Sequence, residues 1–266
     1  MVSNTKGYIF DCHTHAVDKE IYQECKSQEA LKGFLGIRCD TYVMDDEEFY
    51  QMANQDPNYY VLEKINVYEG IDEHFKRIKA LYAKYPDKIV GIKLYPGYDP
   101  IYPNDKRLYP VYDFALKHSL VIVFHNGDVA NDEHMSSLKY SHPLAVDDLA
   151  CAYPNLKIVI SHLGFPFMME AAMVVCKNDN VYTDFSGIIE TNGLATEQLM
   201  LDLKRLLKYY PQLTDKLMFG TDFFGKSSAF HNLDYYLELT EKLFSDEEKA
   251  KIYLKTALKL YSIKLQ

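Results

Sequence analysis

The sequence predicts a single-domain α/β protein with a (β/α)8 TIM-barrel fold. The chain has 266 residues, which is close to the roughly 250 residues typical of one such barrel. Short apolar runs alternate with amphipathic stretches along the chain, as strands alternate with helices around a parallel sheet. No repeat, low-complexity tract or linker interrupts this pattern, so we treat residues 1–266 as one domain.

The predicted strands are short runs rich in Val, Ile and Leu that do not alternate cleanly between apolar and polar residues. Such runs are typical of parallel strands that are buried on both faces. A weaker run at Phe34–Val43 brings the number to about eight. The clearer runs are Tyr8–Phe10, Tyr59–Val67, Ile89–Leu94, Leu120–Phe124, Ile158–Ile160, Val181–Tyr182 and Leu217–Phe219.

Amphipathic stretches between these runs predict the helices. Within His74–Tyr85, apolar residues recur every three or four positions, which is the spacing of one helix face. Pro110–His118 and Thr196–Tyr210 show the same spacing. Near the end of the chain, Ser245 and Glu248 have the spacing of a capping box and predict a final helix that extends through Leu260.

Two stretches lack clear periodicity and are predicted to be active-site loops, residues 16–57 and residues 126–143. The first follows the first strand and the second follows the fifth. In a barrel, the long loops after strands build the functional face. We therefore expect both stretches to form the wall or lid of a pocket.

The composition indicates which binding partners and which cellular compartment to expect. The formal net charge is −9, which disfavours binding to nucleic acid or to an anionic membrane. Five cysteines without a C-x-x-C pair predict neither a disulfide framework nor a cysteine zinc cluster. With a polar N-terminus and no long apolar run, we expect a cytoplasmic protein that acts on a small molecule, and a homodimer is compatible with the sequence.

Polar residues suited to metal chemistry follow the predicted strands. His13 and His15 follow the first strand, His125 the fifth, His162 the sixth and Asp222 the last. Because the C-terminal ends of barrel strands meet at one mouth, these distant residues are expected to be neighbours. Imidazole nitrogens with one carboxylate suit Zn²⁺, and also Mn²⁺ or Fe²⁺.

The His-x-His spacing has a simple structural meaning. Residues two apart in a strand point to the same side, so His13 and His15 are able to share one ion. Cys12 and Thr14 are then expected to point towards the surrounding helices. Alone this motif is weak, but together with the residues at three other strand ends it predicts one divalent ion per chain.

Seven segments carry a resemblance to a known family, and they occur in that family's order. They are Phe10–His15, Gly91–Pro96, Leu108–Tyr112, Val123–Gly127, Pro154–Gly164, Val181–Gly187 and Phe219–Asp222. The sequence resembles the amidohydrolase superfamily, and within it the amidohydrolase-2 group of metal-dependent hydrolases and decarboxylases. The resemblance covers most of the chain beyond Ile89.

The resemblance implies a role for each strand-end residue. His13, His15, His125 and Asp222 match metal ligands, and Asp222 also matches the acceptor of the proton from the catalytic water. His162 matches the histidine at the end of strand six. In relatives that histidine either binds a second ion or acts on the reacting group.

The resemblance leaves two alternatives open for Lys93. In members with two ions, a lysine at this strand is carboxylated and bridges the two ions. In that form His162 would be a ligand of the second ion. Otherwise Lys93 lies near the substrate carboxylate or pairs with an acid. Tyr95, where relatives often have histidine, is expected to contact the substrate with Lys93. Asp184, at the end of the seventh strand, is placed to orient a ligand by a hydrogen bond.

Three functions remain compatible with these residues. The leading hypothesis is metal-dependent hydrolysis of an amide, lactone or similar carboxyl derivative, in which Asp222 moves the proton and His162 stabilises the developing oxyanion. The alternative is non-oxidative, metal-dependent decarboxylation of an aromatic or enol acid, which would be favoured by a basic pair facing a planar aromatic slot. The third is a metal-binding protein without catalytic activity, which would need a closed coordination shell.

Overall fold

Eight parallel strands form one sheet that is nearly closed into a barrel, and each strand pairs with its neighbours in chain order. The computed structural model describes residues 8–39, 44–130, 137–188, 193–225 and 233–266. The predicted (β/α)8 barrel is thereby confirmed. The strands are β1 (Ile9–Thr14), β2 (Leu31–Arg38), β3 (Tyr59–Lys64), β4 (Ile89–Leu94), β5 (Val121–Phe124), β6 (Ile158–Ile160), β7 (Val181–Asp184) and β8 (Leu217–Met218).

Helices surround this sheet, and the helices predicted from periodicity are among them. The capping box at Ser245 and Glu248 is present. No helix of the described ranges has the length and apolar character needed to cross a membrane. The helices are α1 (Lys19–Ser27), α2 (Asp46–Gln55), α3 (Ile71–Lys84), α4 (Tyr109–His118), α5 (Leu138–Ser141), α6 (Leu144–Ala152), α7 (Met168–Lys177), α8 (Gly193–Tyr209), α9 (Leu233–Leu243), α10 (Asp246–Ala250) and α11 (Thr256–Tyr261), with a π-helical turn at Lys251–Lys255.

The stretch 16–57 differs from the loop that the sequence predicts, because it contains α1, β2 and α2. Side chains of Asp18 and Asp45 cap the two helices by accepting hydrogen bonds from backbone N–H groups. The two helices are short, with nine and ten residues, and bury two and three side chains. The predicted strand at Phe34–Val43 begins and ends earlier, as β2, and residues 40–43 lie outside the described residues.

The second predicted loop, 126–143, is described except for residues 131–136, and it contains the short helix α5. Backbone contacts tie this segment to the mouth of the barrel. The N–H of Gly127 donates to the carbonyl of Ser141 at 2.9 Å, and the N–H of Ser137 donates to that of Gly97 at 2.9 Å. The segment therefore lies across the ends of β4 and β5.

Buried side chains from all eight strands fill the barrel, and Cys12 is one of them. This corrects the expectation that Cys12 points towards the helices. The pairing of β1 with β2 shifts register between Asp11 and Thr14, and such an irregularity interrupts the strict alternation of side chains. The interior residues are Phe10, Cys12, Leu35, Ile37, Tyr60, Leu62, Val90, Val121, Val123, Val159, Tyr182 and Met218.

The barrel closes where the segment after β8 meets β1. The N–H of Asp222 donates to the carbonyl of His13 at 2.8 Å, and the N–H of His15 donates to that of Phe223 at 2.7 Å. The buried carboxylate of Asp11 accepts from the backbone N–H of Thr221 at 3.1 Å and from its hydroxyl at 2.6 Å. These bonds set Asp222 beside both histidines of β1.

Outside the barrel, a buried carboxylate anchors β3 to its helices. Glu63 is fully buried and accepts from Tyr50 of α2 at 2.7 Å and from Arg77 of α3 at 2.9 Å. Arg38, which is 1 % exposed, lies 3.6 Å from the same carboxylate, and both arginines also contact Asp46. This network fixes the ends of β2 and β3 at the mouth of the barrel.

We predict that Glu63→Gln lowers the free energy of unfolding by about 3–5 kcal/mol, because it leaves the buried guanidinium of Arg38 without its full counter-charge. Glu48→Gln is the matched control, since Glu48 pairs with Lys19 at 2.6 Å on the surface and should cost less than about 1 kcal/mol. Urea-induced unfolding measures both values. Equal losses in the two variants would contradict a structural role for the buried pair.

Candidate active site

The predicted site residues converge at the C-terminal mouth of the barrel. His13 lies within β1, and His15 follows the strand directly. His125 follows β5, His162 lies two residues beyond β6, and Asp222 follows β8. The five side chains come from four strands that are far apart in sequence, and the barrel brings them together.

Asp222 lies at the centre of this group. Its Oδ1 atom is 3.3 Å from Nε2 of His13 and 3.1 Å from Nε2 of His15. Ligand atoms of His13, His162 and Asp222 all lie within 4.8 Å of one another, which makes them a possible metal site. His125 joins from the other side, with its Nδ1 atom 3.2 Å from Nε2 of His162.

Two residues at the end of β7 hold the outer nitrogens of His13 and His162. Nδ1 of His13 lies 3.2 Å from Oδ2 of Asp184, as expected for an orienting carboxylate. Nδ1 of His162 lies 3.0 Å from the carbonyl oxygen of Ser186. Because a carbonyl oxygen only accepts hydrogen bonds, Nδ1 of His162 carries the proton and its Nε2 presents a lone pair, whereas both ring nitrogens of His13 lie against carboxylates.

The outer nitrogens of the other two histidines also have protein partners. Nε2 of His125 lies 2.8 Å from the carbonyl oxygen of Asp128, so its Nδ1 atom presents the lone pair. Nδ1 of His15 lies 3.1 Å from Sγ of Cys39. The sequence did not predict the contacts of Ser186, Asp128 and Cys39. Ser186 and Asp128 act through backbone carbonyl oxygens, and Cys39 meets His15 only because the fold brings two strand ends together.

The inward-facing atoms are therefore mostly acceptors that lie against one another. Nε2 of His162 faces Nδ1 of His125, and Nε2 of His13 faces the carboxylate of Asp222. Two lone pairs at about 3 Å repel unless a cation or a proton lies between them. Converging nitrogen and carboxylate donors of this kind fit a divalent ion.

Charge and burial set the protonation of these groups. Burial lowers the pKa of His162 to about 4, and burial with His162 nearby lowers the pKa of His125 well below its usual range. Although burial opposes it, hydrogen bonds and charges from His13 and His15 hold the pKa of Asp222 well below its usual value. At neutral pH His125 and His162 are thus neutral imidazoles, and Asp222 is an ionised carboxylate.

The pKa of His15 is shifted in the opposite direction by nearby negative charge. Burial alone would lower its pKa, but the charges of Cys39 and Asp222 raise the pKa of His15 to about 10. Surroundings that stabilise a proton on this imidazole also favour a metal cation at the same place. Metal binding there displaces the proton, so the affinity for metal rises with pH.

The two predicted substrate contacts, Lys93 and Tyr95, lie together, with the Nζ atom of Lys93 5.2 Å from the centre of the Tyr95 ring, but they differ in access to the cleft. Lys93 is fully buried, and its Nζ atom donates to Oγ of Ser161 at 2.6 Å. Burial lowers the pKa of Lys93 to about 8. Tyr95 lies above it on the wall of the cleft, with its ring centre 6.0 Å from that of His125.

Left-handed backbone conformations occur at the two predicted catalytic residues. Asp222 has a φ of 60° and His162 a φ of 61°, which is uncommon for residues other than glycine. Strain of this kind persists only where surrounding contacts hold it, and it occurs often at functional sites. Gly187, with a φ of 66°, packs against both side chains.

The mouth of the barrel contains two connected cavities. The first, of about 550 Å³, we name the tyrosine lobe; its walls include His15, Cys39, Lys64, Tyr68, Tyr95 and Tyr98. The second, of about 300 Å³, we name the histidine lobe; its walls include Tyr98, His125, His162, Gly187, Ile188 and Asp222. Tyr98 lies on the wall of both, and His15 with Asp222 stands at their junction.

Comparison with models of known families gives one match. The amidohydrolase family model matches residues 10–263. The chain belongs to the amidohydrolase family. Membership of this family identifies the chain as an enzyme. No curated protein matches the chain.

Several solved structures share the fold of this amidohydrolase at low sequence identity. An amidohydrolase from Burkholderia multivorans with bound zinc is 12% identical, with a TM-score of 0.65 over 97% of this chain and 100% of that one. A probable 2-pyrone-4,6-dicarboxylic acid hydrolase from Acinetobacter baumannii is 11% identical, with 0.65 over 96% and 100%. The 5-carboxyvanillate decarboxylase of Sphingomonas paucimobilis is 13% identical, with 0.59 over 87% and 78%.

We predict that Gly187→Ala disrupts the site as well as the backbone. An added Cβ would lie 2.8 Å from Oδ2 of Asp222 and 3.1 Å from Nδ1 of His162. We expect the affinity for Zn²⁺, measured by competition with a chelator, to fall about 10- to 100-fold, as when groups that support metal ligands are altered.

Gly70→Ala is the matched control for this variant. Gly70 also has a positive φ, of 108°, but an added Cβ would meet nothing within 4 Å. Both variants should lose about 1–3 kcal/mol of unfolding free energy from backbone strain, and the control should keep its affinity for metal. An unchanged affinity in Gly187→Ala would contradict the placement of Asp222 and His162 at the metal.

Proposed function

We propose that this amidohydrolase is a metal-dependent hydrolase of a small carboxyl derivative, such as an amide or a lactone. The proposal assigns one divalent ion, Zn²⁺ with Mn²⁺ or Fe²⁺ as alternatives, to His13, His15, His125 and Asp222. The observation that carries it is the approach of the imidazole nitrogens of His13 and His15 to the ionised carboxylate of Asp222. Nitrogen donors with one carboxylate are a ligand set that zinc prefers.

A divalent ion bound at these residues lowers the pKa of a water molecule and polarises a carbonyl oxygen. Asp222 is the proton acceptor of the proposal. Its Oδ1 atom faces His13 and His15, whereas Oδ2 lies beside Gly187 in the wall of the histidine lobe. Oδ2 takes the proton from the attacking water and returns it to the leaving group.

His162 is not placed to stabilise an oxyanion, which is the role that the hydrolysis hypothesis gave it from the sequence. A group that stabilises an oxyanion must donate a hydrogen bond, but the proton of His162 is held at Nδ1 by the carbonyl of Ser186. With its pKa lowered to about 4, His162 presents a lone pair at Nε2. We therefore assign to it proton acceptance beside His125, or binding of a second ion in the two-ion form of the site.

Hydrolysis is favoured over decarboxylation by the cations of the cleft. Decarboxylation was expected to use a basic pair facing an aromatic slot. Within the described parts of the chain, Lys64 is the one lysine or arginine on the walls of the two lobes, while Lys93 is buried against Ser161. A single cation supports hydrolysis, and an assay with hydroxybenzoates tests the alternative directly.

The proposal predicts about one zinc-like ion per chain in protein prepared without added metal, measured by elemental analysis. The proposal treats Lys93 as a free lysine, because a single ion needs no bridging carboxylate. Anomalous scattering at the metal edge should therefore show one peak. Two peaks with a carboxylated Lys93 would replace the single-ion proposal with the two-ion form, and absence of binding for any metal would overturn both.

Asp222→Asn should reduce turnover by at least about 10²-fold, because the amide is able to offer oxygen to an ion but not to take a proton. A panel of lactones, amides and hydroxybenzoates provides the assay. Asp128→Asn is the matched control, since its side chain accepts from the N–H of Val129 at the rim and its carbonyl remains for His125. Near-normal turnover in Asp222→Asn would refute the assigned role.

A further inference from the structure

The tyrosine lobe contains a lysine whose position is fixed by strand pairing. Lys64 ends β3 and pairs in register with Lys93 of β4. Side chains of a register pair stand on the same face of a sheet. Since the ammonium of Lys93 lies inside the barrel against Ser161, Lys64 also faces inward, at the mouth, whereas its neighbour Glu63 faces the helices.

The ammonium of Lys64 contacts an aromatic ring rather than a carboxylate. Its Nζ atom lies 4.9 Å from the centre of the Tyr95 ring. Within the described part of the chain, the recorded ion pairs include none for Lys64, whereas the lysines at positions 19, 26 and 177 each bind a carboxylate at 2.6 Å. Lys64 is thus a cation in the cleft that pairs with no carboxylate of the described residues, and the thiol of Cys39 is a further acidic group in the same lobe.

The acidic residues of the same lobe do not supply that counter-ion. The carboxylate of Glu69 lies 2.7 Å from Nε2 of His74, and this pair stands at the rim. Asp99 is only 4% exposed. The remaining polar walls are His15, Cys39, Asn66 and three tyrosines, and the tyrosines and Asn66 are able to donate hydrogen bonds. The lobe is therefore suited to a group that accepts hydrogen bonds and carries negative charge.

The lobe also opens onto the reacting centre. His15 lies on its wall and contacts Asp222 at 3.1 Å, and Tyr98 separates it from the histidine lobe. A molecule that reacts beside Asp222 is therefore able to extend one arm past His15 towards Lys64. An anion in that arm would be oriented by the lysine, while the bond to be broken stays at the junction of the lobes.

We propose that Lys64 binds a carboxylate of the substrate, so that the substrate class is a small amide or lactone that carries a carboxylate away from the reacting carbonyl. This inference rests on the proposed hydrolytic function for the nature of the reacting bond. The binding of the carboxylate itself rests only on the tyrosine lobe. Lys64 is then a specificity-determining residue and takes no part in proton transfer.

The test uses zinc-loaded protein and two probes of similar size, succinamate, which carries one carboxylate, and neutral succinamide. Isothermal titration should show that the wild type binds succinamate about 10- to 100-fold more tightly, the range for one hydrogen bond to a charged group. Lys64→Met should abolish this preference, and Lys64→Gln provides a second variant that keeps polarity without charge. Lys208→Met, at an exposed position on α8, should retain the preference.

Two results would overturn the inference. One is a wild type that does not prefer succinamate, and the other is an unchanged preference in both Lys64 variants, which would place the carboxylate at the ion instead. Titration requires no turnover, so it is independent of the hydrolysis assays. Loss of the preference in the variants without hydrolysis of any lactone or amide would retain Lys64 as the anchor and refute the hydrolytic function alone.

Discussion

The contact between the end of β8 and β1 is the constraint on which the site depends. Backbone bonds from Asp222 to His13 and from His15 to Phe223 join the last strand to the first, and Asp11 secures the same seam by holding Thr221. This seam turns a sheet into a nearly closed barrel. Without it, the carboxylate and the two histidines would lie at opposite edges of an open sheet.

Around that seam, hydrogen bonds to the outer ring nitrogens of three histidines determine which nitrogen carries the proton. Asp184, Ser186 and the carbonyl of Asp128 accept the outer protons of His13, His162 and His125. Their lone pairs then face inward, where a cation is the partner that relieves their repulsion. Hydrogen bonds behind the histidines therefore prepare the site for a metal as much as the histidines themselves do.

In strand β3, neighbouring side chains point to opposite faces of the sheet, so one stabilises the fold and the next is available to bind an anion. Glu63 points outward into a buried network with Tyr50 and Arg77, and this network holds the strand end in place. Lys64, the next residue, points inward and remains free of protein carboxylates among the described residues. A rigid strand end thus presents a cation in the cleft, and little further ordering is needed when an anion binds.

The amino-acid pattern alone was sufficient for the barrel and for the residues at its mouth, because parallel strands place their C-terminal ends together whatever the loops do. His13, His15, His125, His162 and Asp222 follow from that rule. Tertiary structure alone decided the register shift that turns Cys12 inward, the proton positions on the histidines and the contact of His15 with Cys39. These depend on contacts between distant segments and on backbone carbonyls, which have no signature in local sequence.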